Sequence, residues 1–76
     1  MKRIDLRKSK DLFLDMKKYL DSLKLNETAL FLFEIGDFSN VEKSYEFVYK
    51  QGCVVLNSLK FNQVDWTICV KRENEL

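Results

Sequence analysis

The sequence contains no histidine and no proline, and it has only two glycines and two cysteines among its 76 residues. Without histidine, neither a Ser-His or Cys-His nucleophile nor a histidine-ligated zinc site can form. Two cysteines are too few for an all-thiolate zinc site within one chain, and two glycines are too few for a Gly-rich phosphate loop. We therefore infer no metal site, no cofactor and no small-molecule substrate.

The residues that are present are sufficient for one small folded domain. Hydrophobic residues make up 46% of the chain, aromatic residues 13% and charged residues 33%, a composition typical of a globular domain and not of a disordered segment. A chain of this length has room for a single hydrophobic core. We predict one domain over residues 1–76.

The charge is nearly balanced but unevenly distributed along the chain. Thirteen Lys and Arg residues against 12 Asp and Glu residues give a net charge of +1, so no overall field attracts nucleic acid or an anionic membrane. Residues 1–25 carry eight basic and four acidic side chains, whereas residues 26–76 carry five and eight. The N-terminal half is therefore the more basic one.

Neither a membrane span nor a signal peptide is indicated. No stretch approaches the roughly 18 apolar residues of a membrane helix, and residues 1–5 lack the apolar run of a signal peptide. We predict a cytoplasmic protein without membrane contact, in which both cysteines are reduced thiols.

Apolar spacing in the first half predicts a strand, a helix and a second strand. A brief strand covers residues 3–7, and Ser9 stands where the N-cap of a helix is expected. An apolar stripe at helical spacing follows, formed by Leu12, Phe13, Met16, Tyr19, Leu20 and Leu23. Residues 29–35 form an almost unbroken apolar run, which is typical of a strand in the middle of a sheet.

The second half predicts a helix and two further strands. Ser39 and Glu42 have the spacing of a capping box, and Gly52 suits the position after the helix, where a positive φ is common. The expected apolar face of this helix consists of Val41, Tyr45, Val48 and Tyr49, with Phe47 beside them. A third strand begins over residues 53–56.

A turn, a fourth strand and a polar tail are expected to follow. Residues 60–63 are predicted as a turn and residues 64–71 as the fourth strand, in which Trp66, Ile68 and Val70 alternate with more polar residues. The tail, residues 72–76, is polar and is predicted to fray.

The element order β-α-β-α-β-β predicts an α/β (α+β) fold. We expect a two-layer sandwich with a mixed four-stranded sheet and two helices on one face. Strands on either side of each helix should pair in parallel through right-handed crossovers, and a terminal hairpin should follow. The other face of the sheet would then be bare.

Several segments resemble the TusA/SirA family of small sulfur-carrier proteins over nearly the whole chain, namely residues 4–7, 16–20, 26–28 and Gly52 followed by residues 54–56. The resemblance implies the fold above and a sulfur relay through a persulfide on the Cys of a Cys-Pro-x-Pro motif at the start of the first helix. In this sequence residues 8–12 read Lys-Ser-Lys-Asp-Leu, with neither Cys nor Pro. The scaffold is thus expected without the thiol of a sulfurtransferase, which argues against an enzyme.

Cys53 and Cys69 are the candidate thiols. Neither stands at a helix N-terminus, where a thiolate is stabilised. Cys53 follows the C-terminus of the second helix, and Cys69 lies in mid-strand on the side opposite to Trp66, Ile68 and Val70. We expect structural roles for both and predict no catalytic residue.

The candidate binding residues belong to two surfaces. The second strand contributes Phe31, Leu32 and Phe33, because one set of its side chains falls on the bare sheet face, and an uncovered apolar face is typical of a partner surface. The basic start of the first helix contributes Lys8 and Lys10.

These residues lead to three hypotheses about function. The first is a non-enzymatic binding or adaptor protein whose partner is another protein or a second copy of itself. The second is a sulfur carrier that has moved its thiol to Cys53 or Cys69. The third is nucleic-acid binding through the basic N-terminal half, which lacks the interleaved aromatic residues that stack on bases.

Overall fold

The computed structural model describes residues 1–74 and contains the elements in the order β-α-β-α-β-β. Their bounds are β1 Lys2–Asp5, α1 Leu12–Asp21, β2 Thr28–Glu34, α2 Ser39–Lys50, β3 Cys53–Lys60 and β4 Asp65–Arg72. The predicted fold class is confirmed. The last two residues of the predicted polar tail, Glu75 and Leu76, lie outside the described residues.

The four strands follow the order β1-β2-β4-β3 in the sheet. The parallel pairing of β1 with β2 is confirmed. The expected direct pairing of β2 with β3 across α2 is wrong, because β4 lies between them and pairs antiparallel with both. β4 turns back from β3 through a short loop and takes the inner edges of both neighbours, so β1 and β3 are the edges of the sheet.

The core lies between the helices and one face of the sheet. Alternate residues of β2 and β4 are buried there, namely Ala29, Phe31, Phe33, Ile68 and Val70. They pack with buried residues of both helices, which are Met16, Leu20, Val41 and Val48. Because successive strand residues point to opposite faces, the residues between them lie on the side away from the helices.

The first helix begins later than predicted. Its N-cap is Asp11, whose Oδ1 accepts a hydrogen bond from the Leu14 N–H at 3.3 Å. The predicted N-cap, Ser9, instead donates its hydroxyl to Asp15 Oδ2 at 2.6 Å. Two possible capping residues lie two positions apart in this segment, and the carboxylate is the one that serves the first turn.

The second helix also begins without the predicted capping box. Its N-cap residue is Phe38, which adopts a left-handed φ of 74° and makes no side-chain cap bond. The Ser39 hydroxyl donates to Asp37 Oδ1 at 2.6 Å, so it is not available for the first turn. The Phe38 ring packs edge-on against Trp66, with ring centroids 5.5 Å apart, which helps to hold this unusual backbone conformation.

The buried face of α2 differs from the predicted one. Val41 and Val48 are buried as expected, but Ser44 is buried with them, whereas Tyr45 and Tyr49 are exposed. The Ser44 hydroxyl donates to the carbonyl of Val41 at 2.6 Å, and this bond satisfies the polar group within the core. The tyrosines keep their hydroxyls in water.

Arg72 belongs to β4 and not to a frayed tail. Its side chain is only 2% exposed, and Nη1 donates to the carbonyls of Gln51 at 2.9 Å and Asn74 at 3.1 Å. Gly52 has the expected positive φ, at +79°, and a Cβ at this position would lie 3.1 Å from Arg72 Nη1. Glycine is therefore required here by both conformation and space.

Candidate functional site

The sheet surface turned away from the helices, which we call the bare face, has no covering element within residues 1–74. Paired residues on neighbouring strands share a face, and the register assigns these side chains to it: Arg3, Asp5, Leu30, Leu32, Val54, Asn57, Leu59, Thr67, Cys69 and Lys71. The centre of the bare face is therefore apolar, and charged residues stand toward its margins.

Only one of the three predicted binding residues of β2 lies on the bare face. Leu32 is half-buried there, whereas Phe31 and Phe33 are fully buried under the helices. The two phenylalanines are therefore core residues, and their prediction as surface residues is wrong. The apolar run gave no sign of which alternate set faces the helices, because a shift of one residue exchanges the two sets.

Two residues that sequence reasoning missed are the most exposed apolar side chains of this surface. Leu59 is 56% exposed and Phe61 is 59% exposed. They were overlooked because residues 60–63 were treated only as a polar turn, whereas β3 continues to Lys60. An aromatic residue within a predicted turn was the available signal.

A groove crosses the bare face beside β1, and we call it the β1 groove. Its volume is about 250 Å³, and its lining consists of Arg3, Ile4, Asp5, Leu30, Leu32, Phe61 and Thr67. Small-molecule sites usually have volumes of about 300–1,000 Å³. The β1 groove is thus better matched to a single side chain than to a cofactor.

The loop that carries Phe61 is held in place by hydrogen bonds. Asn62 Oδ1 accepts from the N–H groups of Val64 at 2.9 Å and Asp65 at 2.8 Å. Asn62 Nδ2 donates to Asp65 Oδ2 at 2.9 Å, and the Phe61 N–H donates to the Asp65 carbonyl at 3.0 Å. These bonds fix the backbone on both sides of the turn and so position Phe61 at the groove.

The charges at the groove leave an excess of positive charge. Arg7 binds Asp5 in a fork, with Nη2 to Oδ2 at 2.7 Å and Nε to Oδ1 at 3.0 Å. These bonds from Arg7 lower the pKa of Asp5 to about 2, so Asp5 is ionised and paired at neutral pH. Arg3 has no ion-pair partner among residues 1–74.

The two predicted basic binding residues do not form one site. Lys8 lines an open cavity of about 630 Å³, whose charged members are Asp5, Lys8, Asp15 and Lys18, but Lys10 is not among its lining residues. Lys18 forms an ion pair with Asp15 at 3.7 Å. With two ammonium groups and two carboxylates, this cavity presents no excess of either charge.

The two thiols lie on opposite faces of the sheet. Cys53 pairs with Arg72 on the helix side and is 1% exposed, and burial raises the pKa of its thiol despite the positive charge of Arg72. Cys69 is half-buried on the bare face. Burial keeps Cys53 in its neutral form, which neither attacks a sulfur donor nor binds a metal.

Within residues 1–74, no three His, Cys, Asp or Glu side chains come together as a set of metal ligands. In the same part of the protein, neither helix has the length and apolar character needed to cross a bilayer.

Comparisons with known proteins give a family and one similar structure. The model of a family described as the E subunit of NADH-ubiquinone oxidoreductase matches residues 1–72. The structure titled "Solution structure of HP1264 from Helicobacter pylori" is 46% identical, covers 97% of this chain and 100% of its own, and superposes with a TM-score of 0.66. A search among curated proteins found no match.

The match overturns the resemblance to the TusA/SirA sulfur carriers. It covers residues 1–72 and points to a different family. The resemblance rested on element order and on short segments such as residues 16–20 and 26–28, and unrelated small domains can share such features. The sulfur-carrier identity that followed from it is therefore wrong.

The family description raises the question of redox cofactors, and two of them do not fit these residues. A [2Fe–2S] cluster takes four Cys thiolates, or two Cys and two His, whereas the chain has two Cys and no His. Cys53 and Cys69 also face opposite sides of the sheet. A dinucleotide fingerprint needs three closely spaced glycines, whereas Gly36 and Gly52 are the only glycines and stand 16 positions apart.

Proposed function

The chain belongs to the family of NADH-ubiquinone oxidoreductase E subunits, and from that premise we propose that it is a non-catalytic accessory subunit of such an enzyme. It docks onto a partner subunit through the bare face. The observation that carries this proposal is the uncovered sheet surface with Leu59 and Phe61 exposed at its side.

The composition of the bare face supports docking. Protein interfaces have an apolar centre and a polar rim. Leu30, Leu32 and Cys69 are central, whereas Arg3 stands on the edge strand β1 and Lys71 near the end of β4. A small monomer rarely leaves a contiguous apolar surface in water without a binding role.

The chemistry of the residues supports a subunit without its own redox centre. The donor set does not fit an iron–sulfur cluster, and the sequence has no glycine-rich dinucleotide loop. The 76 residues offer no catalytic constellation of the Ser-His or Cys-His type. A contribution through binding and positioning is the remaining role that the bare face favours.

A tagged copy of the protein, produced in the organism that encodes it, tests the proposal. The wild-type protein should co-purify with NADH-ubiquinone oxidoreductase subunits, identified by mass spectrometry. Leu59→Asp combined with Phe61→Asp should abolish their recovery, because two carboxylates would be buried without partners. Tyr49→Asp is the matched control, since Tyr49 is also 56% exposed but lies on α2.

Three outcomes would overturn the proposal. In the first, the wild-type protein recovers no oxidoreductase subunit. In the second, the double variant and the Tyr49→Asp control recover them equally. In the third, the purified wild-type protein is a dimer that the double variant converts to a monomer, which would assign the bare face to self-association.

A further inference from the structure

We propose that the β1 groove binds an acidic segment of the partner subunit, which places one apolar side chain in the groove and a neighbouring carboxylate on Arg3. This inference rests on the docking role proposed above and names the chemistry that the partner must present at this position.

The shape of the β1 groove favours an apolar side chain. Leu30 and Leu32 form its floor, and Phe61 and Thr67 lie at its side. The volume of about 250 Å³ is open to solvent along the sheet surface, so a side chain can enter from a partner that lies against the bare face. An aliphatic or aromatic side chain would remove the leucines and Phe61 from water together.

The groove is prepared for binding before a partner arrives. Asn62 holds both N–H groups that follow it in the turn, at Val64 and Asp65. Asp65 is buried and also contacts Arg7 Nη1 at 3.4 Å. Because these contacts already fix the loop, little conformational entropy is lost when a ligand contacts Phe61.

The charge of the groove selects a carboxylate. Arg3 pairs with Leu30 in the sheet register, so its side chain lies beside the apolar floor. The only acidic lining residue is Asp5, and its charge is occupied by Arg7. A guanidinium left without an internal partner binds a carboxylate through two parallel hydrogen bonds, which gives direction as well as attraction.

Two small probes test this inference on the isolated 76-residue protein. N-acetyl-L-leucine carries an apolar side chain and a carboxylate, and N-acetyl-L-leucine amide carries the same side chain without the charge. In a titration followed by amide ¹H–¹⁵N signals, the carboxylate should shift Leu30, Leu32, Phe61 and Thr67. The amide should bind at the same place about threefold more weakly, the factor that one exposed ion pair supplies.

Three variants assign the two parts of the groove. Arg3→Glu should remove the preference for the carboxylate, whereas Lys10→Glu makes the same charge change on an exposed residue outside the groove and should preserve it. Phe61→Ala should weaken both probes. The same spectra show whether each variant is folded.

The inference is overturned if neither probe shifts the groove signals up to its solubility limit, if both bind equally to the wild-type protein, or if the shifts gather around Lys8. It is separable from the proposed function. Binding of the probes without co-purification of oxidoreductase subunits would support the groove and contradict the accessory role. Co-purification without binding of the probes would do the reverse.

Discussion

Arg72 donates a hydrogen bond from Nη2 to the carbonyl oxygen of Leu20 at 2.6 Å, across 52 positions of sequence. Its Nη1 reaches the carbonyl of Gln51 at 2.9 Å. Leu20 lies in the last turn of α1, and Gln51 is the C-cap of α2. One buried guanidinium therefore satisfies carbonyls at the negative ends of two helix dipoles.

Replacing this guanidinium should destabilise the protein strongly. Arg72→Met keeps most of the side-chain volume but leaves the carbonyls of Leu20 and Gln51 without a donor, and we expect a loss of about 3 kcal/mol in the free energy of unfolding. Urea unfolding followed by circular dichroism measures it. Lys71→Met is the control, because Lys71 precedes Arg72 on the bare face and is only half-buried. Similar losses for both variants would contradict this role of Arg72.

The two glycines should respond differently to alanine. Both have positive φ, +61° at Gly36 and +79° at Gly52, so each alanine should cost about 1–2 kcal/mol in backbone strain. Gly52→Ala should cost more, because its Cβ would lie 3.1 Å from Arg72 Nη1, whereas the nearest atom at Gly36 is 3.8 Å away. Thermal unfolding of the two variants compares them. An equal loss at both positions would show that the space around Arg72 adjusts.

The protein should lose stability in acid, in part through Asp5. Hydrogen bonds from Arg7 lower the pKa of Asp5 to about 2, below the value of about 3.9 in an unfolded chain. The ionised carboxylate therefore stabilises the fold above about pH 4, and this contribution disappears as the pH falls towards 2. The lowered pKa values of Glu27, bonded by the Lys24 N–H, and Asp37, bonded by Ser39, act in the same direction.

Melting temperatures measured between pH 5 and pH 2 test the contribution of Asp5. Asp5→Asn should reduce the fall in melting temperature over this interval, since the amide cannot be protonated there. Glu34→Gln serves as the exposed control, because Glu34 has no side-chain hydrogen bond among residues 1–74. If Asp5→Asn follows the wild-type pH dependence throughout, the Arg7 contact does not control this carboxylate.

The two cysteines should react at different rates under native conditions. Cys53 is 1% exposed, and burial raises the pKa of its thiol, so alkylation must wait for local opening. Cys69 is half-buried on the bare face and should be modified first. Iodoacetamide labelling followed by peptide mass spectrometry measures both rates, and the difference should vanish in denaturant. Equal rates in the native protein would contradict the assigned faces.

Local periodicity predicted much of the fold. The β-α-β-α-β-β order, the apolar alternation of Ile68 and Val70 and the positive φ of Gly52 follow from the spacing of residues near one another in sequence. The position of β4 between β2 and β3 does not, because strand pairing depends on contacts between distant segments. Arg72 was missed for the same reason, since its partner Leu20 is 52 positions away.

The candidate site was less predictable than the fold. A bare sheet face followed from the element order, but the apolar run of β2 did not show that Phe31 belongs to the core and Leu32 to the surface. Phe61 became visible only when the loop after β3 was placed beside β1 and β2. The cytoplasmic location and the protein partner stay predictions, and Lys8 and Lys10 stay candidate residues.

The alkylation rate of Cys69 in the free protein and in the assembled oxidoreductase tests the docking account most directly. Cys69 lies on the bare face between Leu30 and Asn57, so a docked partner would cover it. We predict that alkylation slows by about tenfold or more in the assembly, because the reagent then needs the interface to open. Cys53 is the internal control and should stay slow in both states. An unchanged rate at Cys69 in a protein that remains assembled would contradict docking through the bare face.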